Sequence, residues 1–185
     1  MISLTYQASF KIMDKKEILY WLKRYNGEED SGRFKSLERE LGRKIRKTKK
    51  LTKSDLKGVV SWKFQSLPGR KKRTFNLLKS SSDSKIQRLT KEALEQKDDF
   101  SKLRILTSIK GIGPALASCI LTFYDPKNYG VKDIHIEREL FGRDLRGNNK
   151  DYLKLLRKLR AYSEKYNLPV RVIEKALFKK NLERK

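Results

Sequence analysis

The sequence predicts an all-α protein. Apolar residues recur three or four positions apart in nearly every segment, and helix caps and stops such as Asp14, Thr52, Pro114, Asp125-Pro126 and Pro169 punctuate the chain. Strand-like alternation is confined to Ile2, Leu4, Tyr6, Ala8 and Phe10. About eight to ten helices are expected on these signals.

Taken in order, residues 1–10 are expected to be an extended arm, a single strand with no obvious partner. Asp14 is the expected N-cap of a helix containing Ile18, Leu19 and Leu22, which Asn26-Gly27 stops. Phe34, Leu37, Leu41 and Ile45 mark a second helix that runs into Arg43, Lys44, Arg46, Lys47, Lys49, Lys50 and Lys53. That basic run reads equally as a solvated face favoured by the negative helix end and as a track for phosphates. Thr52-x-x-Asp55 opens a third helix over 54–64, and Leu67-Pro68-Gly69 ends it as a turn. Arg70-Lys71-Lys72-Arg73 follows that turn directly, beside Phe75 and Leu78. Residues 80–84 are a short serine-rich loop, after which Ile86, Leu89 and Leu94 line another helix.

The centre of the chain is residues 103–138. Leu103, Leu106 and Ile109 follow the capping residues Asp98, Asp99 and Ser101, and Pro114 suits the first position of a helix lined by Leu116, Ala117, Ile120 and Leu121. Between them, Gly111-Ile112-Gly113 makes a tight turn with one or both glycines at positive φ. Helix, hairpin, helix leaves free N–H groups at the positive end of the second helix, where a phosphate oxygen is bound without any side chain. Asp125-Pro126 stops this helix, 127–132 is a loop, and Asp133 enters a helix containing Ile134, Ile136, Leu140 and Phe141. After a turn-rich break at 144–149, two basic amphipathic helices close the chain. Tyr152, Leu155, Leu156, Leu159 and Tyr162 line one; Val172, Ile173, Leu177 and Phe178 line the other, with Pro169 at its start and a frayed Arg184-Lys185 end.

Composition points to a polyanionic partner. The 185 residues carry 46 Lys+Arg against 22 Asp+Glu, a net charge of +24, and 37% hydrophobic residues, enough for one core or one core split around a cleft. Nucleic acid is favoured over an anionic membrane, since no apolar run approaches the roughly 18 residues of a membrane span. Residues 1–10 lack the order of a signal peptide, so cytoplasm or nucleoid, or the nucleus of a eukaryote, is the expected location. Cys119 is the only cysteine and His135 the only histidine, which leaves no internal disulfide, no four-cysteine iron–sulfur cluster and no His/Cys metal site. No repeat with a period of about 20–50 residues is present.

Leu106-x-x-Ile109-Lys110-Gly111-Ile112-Gly113-Pro114-x-x-Ala117-x-x-Ile120-Leu121, followed by Val131-x-Asp133-x-His135-Ile136-x-Arg138, resembles the helix-hairpin-helix DNA glycosylases of the endonuclease III type. This chain has one extra residue, Lys132, between Val131 and Asp133. The resemblance implies a single domain over 1–185 with two lobes, one of 1–35 with 127–185 and the other of 36–126 carrying the hairpin. It implies a monomer acting on damaged double-stranded DNA, no cofactor save a monovalent cation at the hairpin, and Asp133 as the catalytic carboxylate with His135 and Arg138 in support. Family members with lyase activity carry a lysine at the position of Ala115, and a methyl group forms no Schiff base, so β-lyase chemistry is not expected from that position. Lys110 and Lys132 are the remaining nearby amines. Trp62-Lys63, ahead of the hairpin, and Tyr129, ahead of Asp133, also resemble a group of uncharacterised bacterial helix-hairpin-helix proteins.

The chemistry expected of Asp133 follows from the reaction. Breaking an N-glycosidic bond leaves positive charge on the sugar, which a fixed carboxylate stabilises in the transition state, and the carboxylate can also orient water. An Asp at a helix entrance is equally an N-cap, and the two roles are compatible. Lys110, Gly111, Ile112, Gly113 and Arg70, Lys71, Lys72, Arg73 are the expected DNA contacts. Trp62, Tyr124 and Tyr129 are candidates for a base pocket, with core packing the competing role of Trp62 and half-burial at a helix end that of the tyrosines. The expected function is a monofunctional DNA glycosylase that flips a damaged base out of the duplex, and its rival is a non-catalytic helix-hairpin-helix DNA-binding protein.

Overall fold

The computed structural model describes residues 13–27 and 32–184, and among them the chain is all-α: ten helices and no strand. They are α1 Lys15–Asn26, α2 Gly32–Thr48, α3 Lys53–Lys63, α4 Pro68–Leu78, α5 Asp83–Glu95, α6 Asp99–Thr107, α7 Pro114–Tyr124, α8 Ile134–Phe141, α9 Asn149–Tyr166 and α10 Val170–Glu183. The expected extended arm lies outside the described residues.

Local chemistry sets most helix starts. Asp14, Ser82, Asp98, Asp133 and Asn148 each accept a backbone N–H from the first turn, and Thr52 with Asp55 completes a reciprocal capping box. Pro68 corrects the reading of 67–73. α3 already ends at Lys63 with Phe64 as its C-cap, and Pro68 occupies the first turn of α4, where its missing N–H costs nothing, so the turn expected at 67–69 is the start of a helix that carries Arg70 to Arg73. The serine break is likewise shorter than expected, because Ser82 caps α5 and Asp83 is already helical. Arg184, read as frayed, reaches the Glu139 carboxylate.

Helix α7 sits at the centre. Every residue from Leu116 to Phe123 is buried, because α2, α3, α6 and α9 all pack around it. Two groups of helices meet there: α10 packs on α1, α8 and α9, while α2 packs on α3 and α7, α3 on α4 and α5, and α5 on α6. Contacts of α9 with α6 and α7 join the groups into one continuous core.

The segment between α7 and α8 is tied down on three sides. Val170 and Arg171 N–H donate to the carbonyls of Lys127 and Pro126, which satisfies two first-turn donors of α10. Tyr152, buried on α9, donates its hydroxyl to Gly130 O at 3.0 Å, and Ser118 Oγ on α7 accepts from Lys132 N at 2.8 Å. Gly130 has no room for a side chain, since a Cβ would lie 2.9 Å from Leu159 Cδ1 and 3.1 Å from Glu174 Cβ. These anchors fix where Asp133 leaves the loop and begins α8.

Candidate active site and nucleic-acid interface

At the hairpin the two glycines do different work. Gly111 has φ +94°, and a Cβ there would meet Leu77 Cβ at 3.0 Å and Thr74 O at 3.3 Å, so this position admits only glycine without strain. Gly113 has φ −90° and open space around it; as N-cap of α7 it brings no side chain to occupy the helix's free N–H groups. The side chain of Ile112 is buried, which leaves only its backbone to meet a ligand.

An open cleft of about 410 Å³ lies beside this turn, lined by Arg70, Arg73 and Thr74 of α4 and by Thr107, Lys110 and Gly113 among others. Arg70, Arg73 and Lys110 are exposed and form no ion pair among the described residues. Helix N–H groups facing three uncompensated cations favour an anion. The lining holds no carboxylate, so the monovalent cation implied by the family resemblance would have to be held there by backbone carbonyls. Lys71 and Lys72 turn the other way, joining Lys57 and Lys79 around Phe75 in a separate basic pocket of about 320 Å³.

A larger cavity of about 950 Å³ opens between α1 and α10 on one side and α2 and α3 on the other. Trp62 and Phe178 are among its aromatic walls, and Asp133 stands in it as the N-cap of α8. Oδ1 of Asp133 accepts His135 N–H at 3.1 Å, and Oδ2 accepts Lys63 Nζ at 2.7 Å. Lys63 Nζ is pinned a second time, by the Lys132 carbonyl at 2.9 Å. The two side chains are 21% and 11% exposed, so the pair is nearly but not fully shielded from water. Burial alone would raise the pKa of Asp133; the Lys63 charge and hydrogen bond, with the His135 N–H, outweigh it and hold the carboxyl below the usual range. Asp133 is therefore an anion at neutral pH.

The far wall carries a second charged group. Arg171 is buried, pairs with Glu38 at 2.8 Å and with Glu174, and lies 5.3 Å over the Trp62 ring. Burial opposes its charge, but Glu174 and Glu38 outweigh that and keep it ionised. On its other side Trp62 meets Phe123 edge-on at 5.0 Å, so the ring is both packed against the core and part of the cavity wall.

Other sequence candidates lie elsewhere. Tyr124 is outside the cavity lining; its hydroxyl accepts from Lys49 Nζ at 2.9 Å. Tyr129 is also outside it, because the anchors on 126–132 turn the ring inward, where its hydroxyl donates to Asp99 at 2.6 Å under the Arg160 guanidinium. Burial raises the pKa of Tyr129 further, with Asp99 adding to the effect. His135 Nδ1 is 2.9 Å from Asn181 Oδ1 and its ring meets Phe178, which makes it a tie between α8 and α10. Arg138 pairs with exposed Asp144 at 2.6 Å, and Asp133 acts on it only as a weaker, more distant charge. Lys132 is buried against Glu137, away from any open surface.

Two features escaped the sequence. Lys63 is the direct partner of Asp133, and its only signal was the Trp62-Lys63 pair. Arg171, Glu38 and Glu174 carry no motif, since Glu38 meets Arg171 only because α2 and α10 line the same cavity, 133 residues apart in sequence. No family model, curated protein or solved structure matches this chain. Among the described residues no helix is long and apolar enough to cross a membrane.

Proposed function

We propose that this protein is a DNA N-glycosylase that binds duplex DNA through the hairpin and α4, takes a damaged base into the cavity, and hydrolyses its N-glycosidic bond with Asp133. The observation that carries the reading is an ionised, partly buried carboxylate in a 950 Å³ cavity with aromatic walls, a size within the range of small-molecule sites. The grouping of α1 with α8, α9 and α10, apart from α2 to α7, supports the two-lobed glycosylase-like arrangement. Arg70, Arg73 and Lys110 around the turn supply phosphate contacts, consistent with a net charge of +24 and a DNA-holding compartment.

In this reading the base leaves as positive charge grows on the sugar, and Asp133 stabilises that charge from a position fixed before the substrate arrives. Lys63 keeps the carboxyl ionised despite its burial, and Trp62, with the Arg171 guanidinium over its ring, gives the cavity an aromatic wall beside which an extruded base is held. A second reading is favoured by the same contacts: Asp133 caps α8 and pairs with Lys63, roles that need no substrate, and the chain is then a DNA-binding scaffold without chemistry.

A panel of duplexes, each bearing one base lesion and scored for alkali-sensitive abasic sites, separates the two. The glycosylase reading expects excision of at least one lesion by the wild type and its loss, by orders of magnitude, in Asp133→Asn. Excision at a similar rate in that variant would remove Asp133 from catalysis. No excision across the panel leaves the DNA-binding scaffold.

A further inference from the structure

Helix α4 carries a second face that neither the hairpin cleft nor the cavity uses. Pro68, Lys71, Lys72, Phe75, Asn76 and Lys79 recur at spacings of three and four residues, so they form one stripe from the first turn of α4 to its C-cap. With Lys57 of α3 they line the pocket of about 320 Å³, turned away from Arg70 and Arg73. The lining includes four lysines and no carboxylate. Lys57, Lys71, Lys72 and Lys79 form no ion pair and no side-chain hydrogen bond among the described residues. The helix itself adds to this charge, because its first turn has no acidic residue and no side-chain cap, while Arg70 and Lys71 stand near its positive end. A bound anion relieves both the crowding of the lysines and the uncapped N–H groups.

The ligand must also suit an aromatic side chain. Phe75 is half-buried: part of it packs on the core, and the rest lines the pocket. Trp62 already meets Arg171 and Phe123, whereas the Phe75 ring has no aromatic or cationic partner among the described residues. Asn76 sets an amide, both donor and acceptor, beside it. An apolar ring, an amide and surrounding cations match a nucleobase joined to phosphates. Stacking hides the base faces within a duplex, so only an unpaired nucleotide presents one to Phe75. Lys71 and Lys79 are separated by about 12 Å along the helix axis, which suits successive phosphates of a strand better than the linked phosphates of one free nucleotide. We infer that this pocket binds unpaired DNA, with one base against Phe75 and the flanking phosphates on the four lysines. One face of α4 then serves a duplex at the hairpin and the other an unpaired strand, as at a duplex–single-strand junction. The choice of DNA rests on the reading of the hairpin cleft as a duplex DNA site; nothing in the inference depends on Asp133.

The test uses the full chain and a short oligothymidylate carrying a single iododeoxyuridine. Irradiation joins the iodouracil ring to an aromatic side chain stacked on it, and peptide mass maps the joint. The wild type is expected to crosslink on the peptide containing Phe75. Phe75→Leu, which keeps apolar bulk against the core, is expected to lose the crosslink and to weaken single-strand binding about fivefold or more with the salt slope unchanged. Lys71→Gln with Lys79→Gln, both at the surface, is expected to flatten the single-strand salt slope by about 0.7 for each lysine removed. Both variants are expected to lose less affinity for duplex than for the single strand. A crosslink confined to other peptides, or undiminished single-strand affinity in either variant, overturns the proposal. Tighter binding of oligouridylate than of oligothymidylate would move the site to RNA and overturn it as well. Single-strand binding that depends on Phe75 without excision of any lesion leaves this site and sinks the glycosylase; excision without such binding does the reverse.

Discussion

Asparagine at position 133 keeps one oxygen for the His135 N–H but turns its amide NH2 toward Lys63, so Asp133→Asn preserves the cap while removing the charge and the Lys63 hydrogen bond together. Besides its effect on excision, the variant should be less stable by about 1–3 kcal/mol at neutral pH, short of the cost of breaking a fully buried pair because both side chains retain some exposure. The folded pKa of Asp133 is depressed, so its contribution is present above the unfolded carboxyl value of about 4 and is lost as pH falls through the lower folded value. Urea midpoints measured against pH should therefore differ between wild type and variant at pH 7 and converge in acid. A difference that persists unchanged at the lowest pH would show that the charge is not its source. The glycines give a second contrast. Gly111→Ala places a Cβ at positive φ against Leu77 and should cost about 1–3 kcal/mol, whereas Gly113→Val enters open space in extended backbone and should leave stability intact while weakening DNA binding. Equal thermal stability of the two variants would contradict the different backbone roles.

Helix α4 shows how one short element divides its charges. Arg70 and Arg73, three residues apart, share the face toward the hairpin, while Lys71 and Lys72 face the Phe75 pocket. If the turn and the arginines grip the same stretch of backbone, duplex affinity should fall steeply with salt, and Arg70→Gln with Arg73→Gln should flatten the log–log slope by about 0.9 for each phosphate that is no longer neutralised. Lys71→Gln with Lys72→Gln should change the slope less, because those side chains lie outside the cleft. Salt titrations of the two double variants decide this; a larger change from the lysine pair would move the interface to the other side of α4. The buried Ile112, meanwhile, fixes the turn from inside and turns its side chain away from any ligand.

At the scale of the molecule, Arg171 ties α10 to α2 across the cavity, and its removal leaves buried Glu174 without its ion-pair partner and Glu38 with the more distant Lys175, at 3.9 Å. Arg171→Met should cost about 3–5 kcal/mol, the usual penalty for an orphaned buried charge. Chemical denaturation measures it, and a loss below about 1 kcal/mol would mean the carboxylates find other partners. The cavity walls also balance their charges, with Lys35, Lys63 and Arg171 set against Glu38, Asp133 and Glu174. The excess of positive charge lies outside them, with uncompensated cations on both faces of α4 and at the hairpin.

The sequence by itself determined the all-helical class, most helix starts and the turn of the hairpin. Caps, periodic apolar residues and proline act over a few positions, and Thr52 with Asp55 or Asp98 with Ser101 needs nothing distant to form. Its miss at α4 has the same local origin, because a proline followed by glycine reads as a turn and yet suits the first turn of a helix. Only the tertiary structure decided which side chains face Asp133. Lys63 reaches it from 70 residues away, Tyr129 turns inward toward Asp99, and Arg70 and Arg73, not the lysines between them, meet the hairpin. Those choices depend on the rotation of each helix about its axis and on how α7 is surrounded, quantities set by packing across the core, which no pattern along one helix contains.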